Sequence, residues 1–314
     1  MEKIPVILDG DPGHDDAIAW LLAASSPQLD IRAVISVGGN VSLKKTTLNA
    51  LRCFTLFQKY DIRIAEGAER PLLSEPQNAP SVHGESGLDG PAMPESKIEL
   101  SNQSGLELMA EVLRSSDKRV TIIPTGPLTN IANLIVAYPE LIDKIERISL
   151  MGGGILSGNW THAAEFNILV DPEAARVVFG SGIPIIMAPL DVTEKALILA
   201  EDVERIRKIG NRVSDIVAEW LDFFYKFHKT LGYAGAPLHD PCAVGVIINP
   251  DIFVKKDMYV EISVGGEYTR GATLGDYYGV SGKKPNATVI MNLDREKFVQ
   301  MLIEACESFS EAKT

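Results

Sequence analysis

Cysteine is nearly absent from this chain. Cys53, Cys242 and Cys306 stand far apart with no Cys-x-x-Cys pair, so neither a disulfide framework nor a thiolate zinc site is indicated. Long hydrophobic runs are missing as well. No stretch approaches the roughly 20 apolar residues of a membrane span, and the apolar run in MEKIPVILDG is too short for a signal peptide. Positive charge is in deficit: 30 Lys and Arg face 42 Asp and Glu, and the basic residues form no dense block. The resulting net charge of −12 argues against nucleic acid or an anionic membrane as partner and favours a small ligand. Together these absences predict a cytoplasmic protein. Internal repeats and low-complexity tracts are also lacking, while 46% hydrophobic and 23% charged residues supply a large folded core. The 314 residues read as a single domain.

What is present is an alternation. Short apolar runs rich in β-branched residues, IPVILD (4–9), IRAVIS (31–36), RVTIIP (119–124), ERISLM (146–151) and IPIIMA (183–188), suit strands buried on both faces. Helical patterns fall between or after them at 14–24, 43–59, 104–115, 127–137 and 172–179. This predicts an α/β fold with an open, mostly parallel, doubly wound sheet. A long helical pattern at 213–231 and another from His239 predict a more helical C-terminal half, closed by the strand ATVIMNLD and a last helix to about 308. Residues 67–101 and 152–171 are too long for ordinary connections. In α/β proteins such loops at the carboxyl ends of strands are usually functional.

Asp9, Asp11, Asp15 and Asp16 crowd into VILDGDPGHDDAI, directly after the first strand. Carboxylates this close repel one another and resist burial without a compensating cation or hydrogen-bond network. Helix N-termini favour acidic residues, which accounts for Asp15 and Asp16 but not for Asp9 and Asp11 at a strand end. Oxygen-only ligands suit Ca²⁺ or Mg²⁺ rather than zinc. An EF-hand fails, because His14 stands where its turn glycine belongs and Trp20 where its bidentate glutamate belongs. A haloacid-dehalogenase-type phosphohydrolase, which also opens with strand and Asp-x-Asp, is the alternative, although Pro12 and Gly13 do not suit its pattern.

Three further stretches carry chemistry. In APLHDPCAVG, His239 and Asp240 pair a group able to donate a proton with another hard-metal ligand, or simply cap a helix. NWTHAAEFNILVDPEAA carries Asn159, Glu165 and Asn167, polar groups of the kind that grip vicinal hydroxyls, or else an ordinary polar loop. SVHGESGLDGP is a glycine-hinged loop with His83, and GGN places Asn40 after a strand as turn residue or ligand.

In this order and spacing, VILDGDPGHDDA, VHGESGLDGP, PTGPLTNIA, MGGG, AAEFNILVDPEAA and PLHDP resemble the inosine-uridine-preferring nucleoside hydrolases from about residue 4 to the last helix, with the closest likeness to bacterial pyrimidine-preferring members. The resemblance implies a Rossmann-like sheet and cleavage of ribonucleosides to ribose and free base around Ca²⁺. It implies carboxylate ligands from Asp11, Asp16 and Asp240, the backbone carbonyl of Thr125 as another ligand, and Asp11 also as base for the attacking water. Asp15, Asn40, Asn159, Glu165 and Asn167 match ribose-binding positions, and Asp9 matches a carboxylate that braces the cluster. His239 matches the leaving-group acid, with His83 in the loop that closes over the base as a second proton-donor candidate. Relatives are commonly homotetramers or dimers, which implies a homo-oligomer.

The chemistry is coherent with these residues. Carboxylates crowded near a ribosyl ring stabilise oxocarbenium character at C1′, and attack by a single water predicts inversion there. Two departures from the family pattern stand out. Gly10 replaces the Thr or Cys more often found between the first two aspartates, a change expected to be tolerated. In FFYKFHKTLGYAG (223–235), Phe227 and Leu231 stand where some pyrimidine-specific relatives carry Gln and Tyr, with Tyr233 as the substitute base contact.

Overall fold

IPVILDG is apolar on both of its alternating faces, so it can only be a strand covered on both sides, and every residue but Ile4 is buried. It is the centre of the molecule. The computed structural model describes residues 3–309. Its strands are β1 (Ile4–Gly10), β2 (Leu29–Ser36), β3 (Ile64–Glu66), β4 (Val120–Pro124), β5 (Ile145–Met151), β6 (Ile185–Ala188), β7 (Leu197–Ile198), β8 (Ala236–Pro237), β9 (Phe253–Met258), β10 (Val260–Ile262), β11 (Thr273–Gly275) and β12 (Ala287–Leu293). Eight of them form one sheet in the order β3-β2-β1-β4-β5-β6-β12-β9. All neighbours are parallel except β12 and β9. The doubly wound α/β sheet expected from the alternation is therefore present. β1 lies between β2 and β4, and winding reverses at that point, which opens a crevice at the carboxyl ends of β1 and β4.

Two apolar layers cover the sheet. On one face the helices His14–Ser25, Arg212–Thr230, Pro241–Ile248 and Arg295–Glu307 share a core that includes Trp20, Trp220, Phe224 and Phe298. The opposite layer gathers Leu108, Ile131 and Val178 from the helices Gly105–Ser115, Thr129–Ala137 and Pro172–Phe179. The helix His14–Ser25 is apolar almost all round after its first turn, and it is accordingly buried from His14 to Ala24. Among the described residues no helix is long and apolar enough to cross a membrane.

Several boundaries differ from the periodicity. The helix expected over 43–59 ends at Leu56, because Gln58 takes a left-handed φ of 56° and the amide of Lys59 turns back to Phe54. The helix expected from His239 begins at Pro241, the proline suiting its first turn. β3 escaped notice because it has three residues. β9 escaped because FVKKDM carries the charges that keep an edge strand from pairing further. The C-terminal half is the more helical one, as expected, although β9, β10, β11 and β12 place four strands between residues 253 and 293. The long segments 67–101 and 152–171 are mostly irregular, as anticipated, each carrying one short helix, Pro80–His83 and Phe166–Val170.

One buried charge ties the C-terminal helix to the rest. The Asp202 carboxylate is almost fully buried, accepts from the Leu199 amide at 3.0 Å, and pairs with Arg295 at 2.6 Å and Arg205 at 3.3 Å. Removing one partner of a buried pair strands the other. Arg295→Met is expected to lower stability by about 2 kcal/mol, with Asp202→Asn in the same chain recovering part of it. Denaturant unfolding of the two variants checks this, and an unchanged midpoint for Arg295→Met would contradict it.

Candidate active site

The crevice at the switch point holds a cavity whose wall includes Asp15, Asn40, His83, Thr125, Asn159, Glu165, Asn167, Phe227, Leu231, Tyr233, His239 and Asp240. Every pocket residue expected from the sequence is thus on the wall, and Asp11 and Asp16 lie fully buried in the same cluster of carboxylates. They come from elements far apart in the chain, gathered by the carboxyl ends of β1, β4 and β5 and by the loops before the helices Phe166–Val170 and Pro241–Ile248.

β1 delivers the aspartates in two directions. Asp9 is turned away from the cavity, where Asn130 Nδ2 donates to Oδ2 at 2.7 Å and the Asp9 carbonyl accepts from the Thr125 amide. The carboxylate thus joins β1 to the helix Thr129–Ala137, and the carbonyl joins β1 to the end of β4. Asp11 Oδ2 accepts from the Asn40 amide at 2.7 Å, and its Oδ1 is buried with no hydrogen-bond partner among the described residues. Asp16 is held by Thr125 Oγ1 at 2.6 Å, the Gly13 amide at 3.0 Å and Asn40 Nδ2 at 3.3 Å. Oxygens of Asp15, Asp16 and Asp240 all lie within 4.8 Å of one another.

Glycine makes this packing possible. A Cβ on Gly126 would sit 2.4 Å from Asp11 Oδ1, and one on Gly10 would sit 2.4 Å from Thr125 Oγ1 and 2.7 Å from Asp16 Oδ1. The structure accommodates Gly10 with the Thr125 to Asp16 hydrogen bond occupying the space a side chain would take.

Burial drives the electrostatics. It pushes the carboxyl of Asp15 up to about 7, helped by the charge of Asp16, and that of Asp16 up to about 6 against the hydrogen bond from Thr125. Asp11 is pushed well above the usual carboxylate range by burial and by Asp16, and Asp240 by burial and by Asp15. Among the described residues no Lys or Arg lines the cavity. The carboxylates have no counter-charge of their own.

Three polar residues are already engaged. Glu165 caps the helix Phe166–Val170, taking the amides of Asn167 at 2.9 Å, Gly153 at 2.8 Å and Ile168 at 3.2 Å. Asn167 Nδ2 donates to the Thr125 carbonyl at 2.8 Å, which holds that oxygen in place and leaves its second lone pair. Asn159 Oδ1 accepts from the Phe166 amide at 3.0 Å.

The opposite wall is aromatic. His83, His14 and Phe224 pack as a triangle of rings, with the His83 centroid 5.5 Å from that of His14 and 5.4 Å from that of Phe224. Burial lowers its imidazole well below the ordinary range, with the neighbouring histidines adding to the effect. His239 Nδ1 stands 2.7 Å from Thr193 Oγ1, and burial pushes its imidazole down to about 3. Tyr233 donates to Glu194 Oε1 at 3.0 Å, and Leu231 sits exposed at the rim. His228, Glu194, Phe224 and Trp160 also line the wall and were missed in the sequence. His228 carried a usable signal: the chain has five histidines, and His14, His83, His228 and His239 form one linked cluster of rings. Glu194 and Trp160 carried none.

Known proteins match this arrangement. The family model described as inosine-uridine preferring nucleoside hydrolase matches residues 6–300. The pyrimidine-specific ribonucleoside hydrolase RihA of Salmonella typhi is 52% identical over 309 residues, 98% of this chain and 99% of that protein. Its counterpart in Shigella flexneri is 53% identical over the same shares. Among solved structures, the purine-preferring ribonucleoside hydrolase from Gardnerella vaginalis superposes with a TM-score of 0.90 at 28% identity, covering 96% of this chain and 98% of that one. A match along nearly the whole chain sets aside the phosphohydrolase reading of DGDPG. With the expected pocket residues assembled around a single cavity, the chain belongs to the inosine-uridine preferring nucleoside hydrolase family and is an enzyme of that class.

Proposed function

We propose that this enzyme cleaves the N-glycosidic bond of pyrimidine ribonucleosides, giving ribose and free base, with calcium at the acidic floor of the cavity. One observation carries the reading: four buried carboxylates, Asp11, Asp15, Asp16 and Asp240, meet a histidine-lined aromatic chamber with no Lys or Arg on its wall among the described residues. A phosphate would find no counter-charge there, whereas a neutral nucleoside with a polar sugar and a flat base fits both ends. The pyrimidine preference rests on the relatives at 52–53% identity, and the purine-preferring structure at 28% identity marks the alternative.

The residues fit a hard cation. The donors are all oxygen, and Asp11 Oδ1 is a buried acceptor lacking a partner. Asp11, Asp16, Asp240 and the Thr125 carbonyl would hold the ion, which would supply a Lewis acid for two ribose hydroxyls and for a water.

The remaining roles belong to the chain. Asp11 Oδ1 takes a proton from the attacking water, whose oxygen bonds to C1′ as the C1′–N bond breaks with its electron pair on the base. Asp15, Asn40, Asn159, Glu165 and Asn167 surround the ribose, and the acidic floor stabilises positive charge developing on the sugar. Phe227, Leu231 and Tyr233 face the base. His239, with His83 nearby, donates a proton to the leaving base. Burial keeps both imidazoles neutral in the free cavity, and negative charge growing on the departing base favours uptake of a proton from solvent by His239, which passes it to the base nitrogen.

The first test is sugar release from uridine, cytidine, inosine and adenosine, each with and without a chelator. Fastest release from uridine and cytidine, abolished by chelation, is expected; no release from any of the four would sink the proposal. Asp11→Ala is expected to cost at least about a hundredfold in kcat, and near wild-type turnover would remove Asp11 from its role. Cation binding should also follow pH. Raised carboxyls hold protons that the ion must displace, so calcium affinity is expected to rise from pH 5 to pH 8, through the ranges near 6 and 7 of Asp16 and Asp15. Calorimetric titration of chelator-treated protein measures this, and a pH-independent affinity would count against carboxylate ligation.

A further inference from the structure

His239 lies in the short loop before the helix Pro241–Ile248, next to the N-cap Asp240, and nothing in its own backbone settles which edge of its ring meets the base. The decision comes from the turn after β6. There the short helix Leu190–Thr193 is pinned by the Leu190 amide on the Gly153 carbonyl at 2.9 Å, and Thr193 is fully buried. Its hydroxyl lies 2.7 Å from His239 Nδ1. The next residue, Glu194, accepts from Tyr233. One turn therefore anchors both the imidazole and the tyrosine of the base chamber.

We propose that Thr193 is a positioning residue for leaving-base protonation: its hydroxyl holds His239 by Nδ1, so that Nε2 is the nitrogen presented to the base. A hydroxyl suits this task because it both donates and accepts. When His239 is neutral with hydrogen on Nε2, Thr193 donates to Nδ1. Once His239 is protonated, Nδ1–H donates to Thr193 Oγ1. After the Nε2 proton has moved to the base, which leaves with the electron pair of the broken C1′–N bond, Nδ1–H still donates to Thr193. The ring keeps one orientation through the whole cycle. A valine in that place offers neither half of the bond.

This inference rests on the proposed role of His239, and the experiment separates the two. Turnover is measured for Thr193→Val, Thr193→Ser, His239→Ala and the double variant Thr193→Val/His239→Ala. The substrates are the fastest natural nucleoside and 4-nitrophenyl riboside, whose leaving group departs as a stable anion without a proton. Thr193→Val is expected to lower kcat on the natural nucleoside by about tenfold or more, with KM within about twofold, and to leave the nitrophenyl riboside nearly unaffected. Thr193→Ser is expected to recover most of the loss, and the double variant to be no slower than His239→Ala alone. Retained cleavage of the nitrophenyl riboside also shows that each variant is folded. Equal losses of Thr193→Val on both substrates, or additive losses in the double variant, would overturn the positioning role. If His239→Ala itself cleaves the natural nucleoside at wild-type rate, the acid role of His239 falls first and Thr193 falls with it.

Discussion

Mutual repulsion among buried carboxylates is the constraint around which this molecule is arranged. Asp11, Asp15, Asp16 and Asp240 are all nearly inaccessible, and among the described residues no Lys or Arg lines their cavity. Such a group is tolerable only if each oxygen is held by a donor, is protonated, or faces a cation. The chain supplies many of those donors itself, from the Asn40 and Gly13 amides and from Thr125 Oγ1. The close approach of those donors depends on positions without a side chain, Gly10 and Gly126. The topological reversal beside β1 supplies the remaining requirement, an open crevice onto which the cluster can face.

The two ends of the cavity are perturbed in opposite directions by one cause. Burial raises the carboxyls and lowers the imidazoles, so both sets are driven toward their neutral forms while the cavity is empty. Under the proposed function, a cation at the floor would restore the carboxylates and negative charge on a departing base would restore an imidazolium. In that reading the pocket would be most complementary when charge separates along a glycosidic bond. Pairs of groups with environments that push them apart mark acid and base roles, and here the acids and bases occupy separate walls.

Around these walls most polar side chains serve the site indirectly. Asn40 spends its amide and its side chain on Asp11 and Asp16, Glu165 caps a one-turn helix, and Asn167 steadies the Thr125 carbonyl. Asn130 does the same for Asp9 from behind. These bonds cost the site little and fix it closely, because a carboxylate or carbonyl with one lone pair committed to the scaffold has a defined direction for the other.

Much of this was legible in the sequence because it depends on local chemistry. Unbroken apolar runs can only be strands covered on both faces, and an acidic cluster at the end of such a run must face a crevice, so the sheet class and the residues Asp11, Asp16 and Asp240 follow from composition, order and family likeness. Short or charged strands such as β3 and β9 leave no such pattern, since their pairing is decided by neighbours distant in the chain. Only the tertiary structure revealed that Gly10 makes room for a hydrogen bond and that Asp9 turns away from its three companions. It also brought His228 and Glu194 onto the base wall and set Thr193 behind His239. Each of those roles depends on which side chains meet across elements far apart in sequence, a matter of distance and packing that residue identity does not encode.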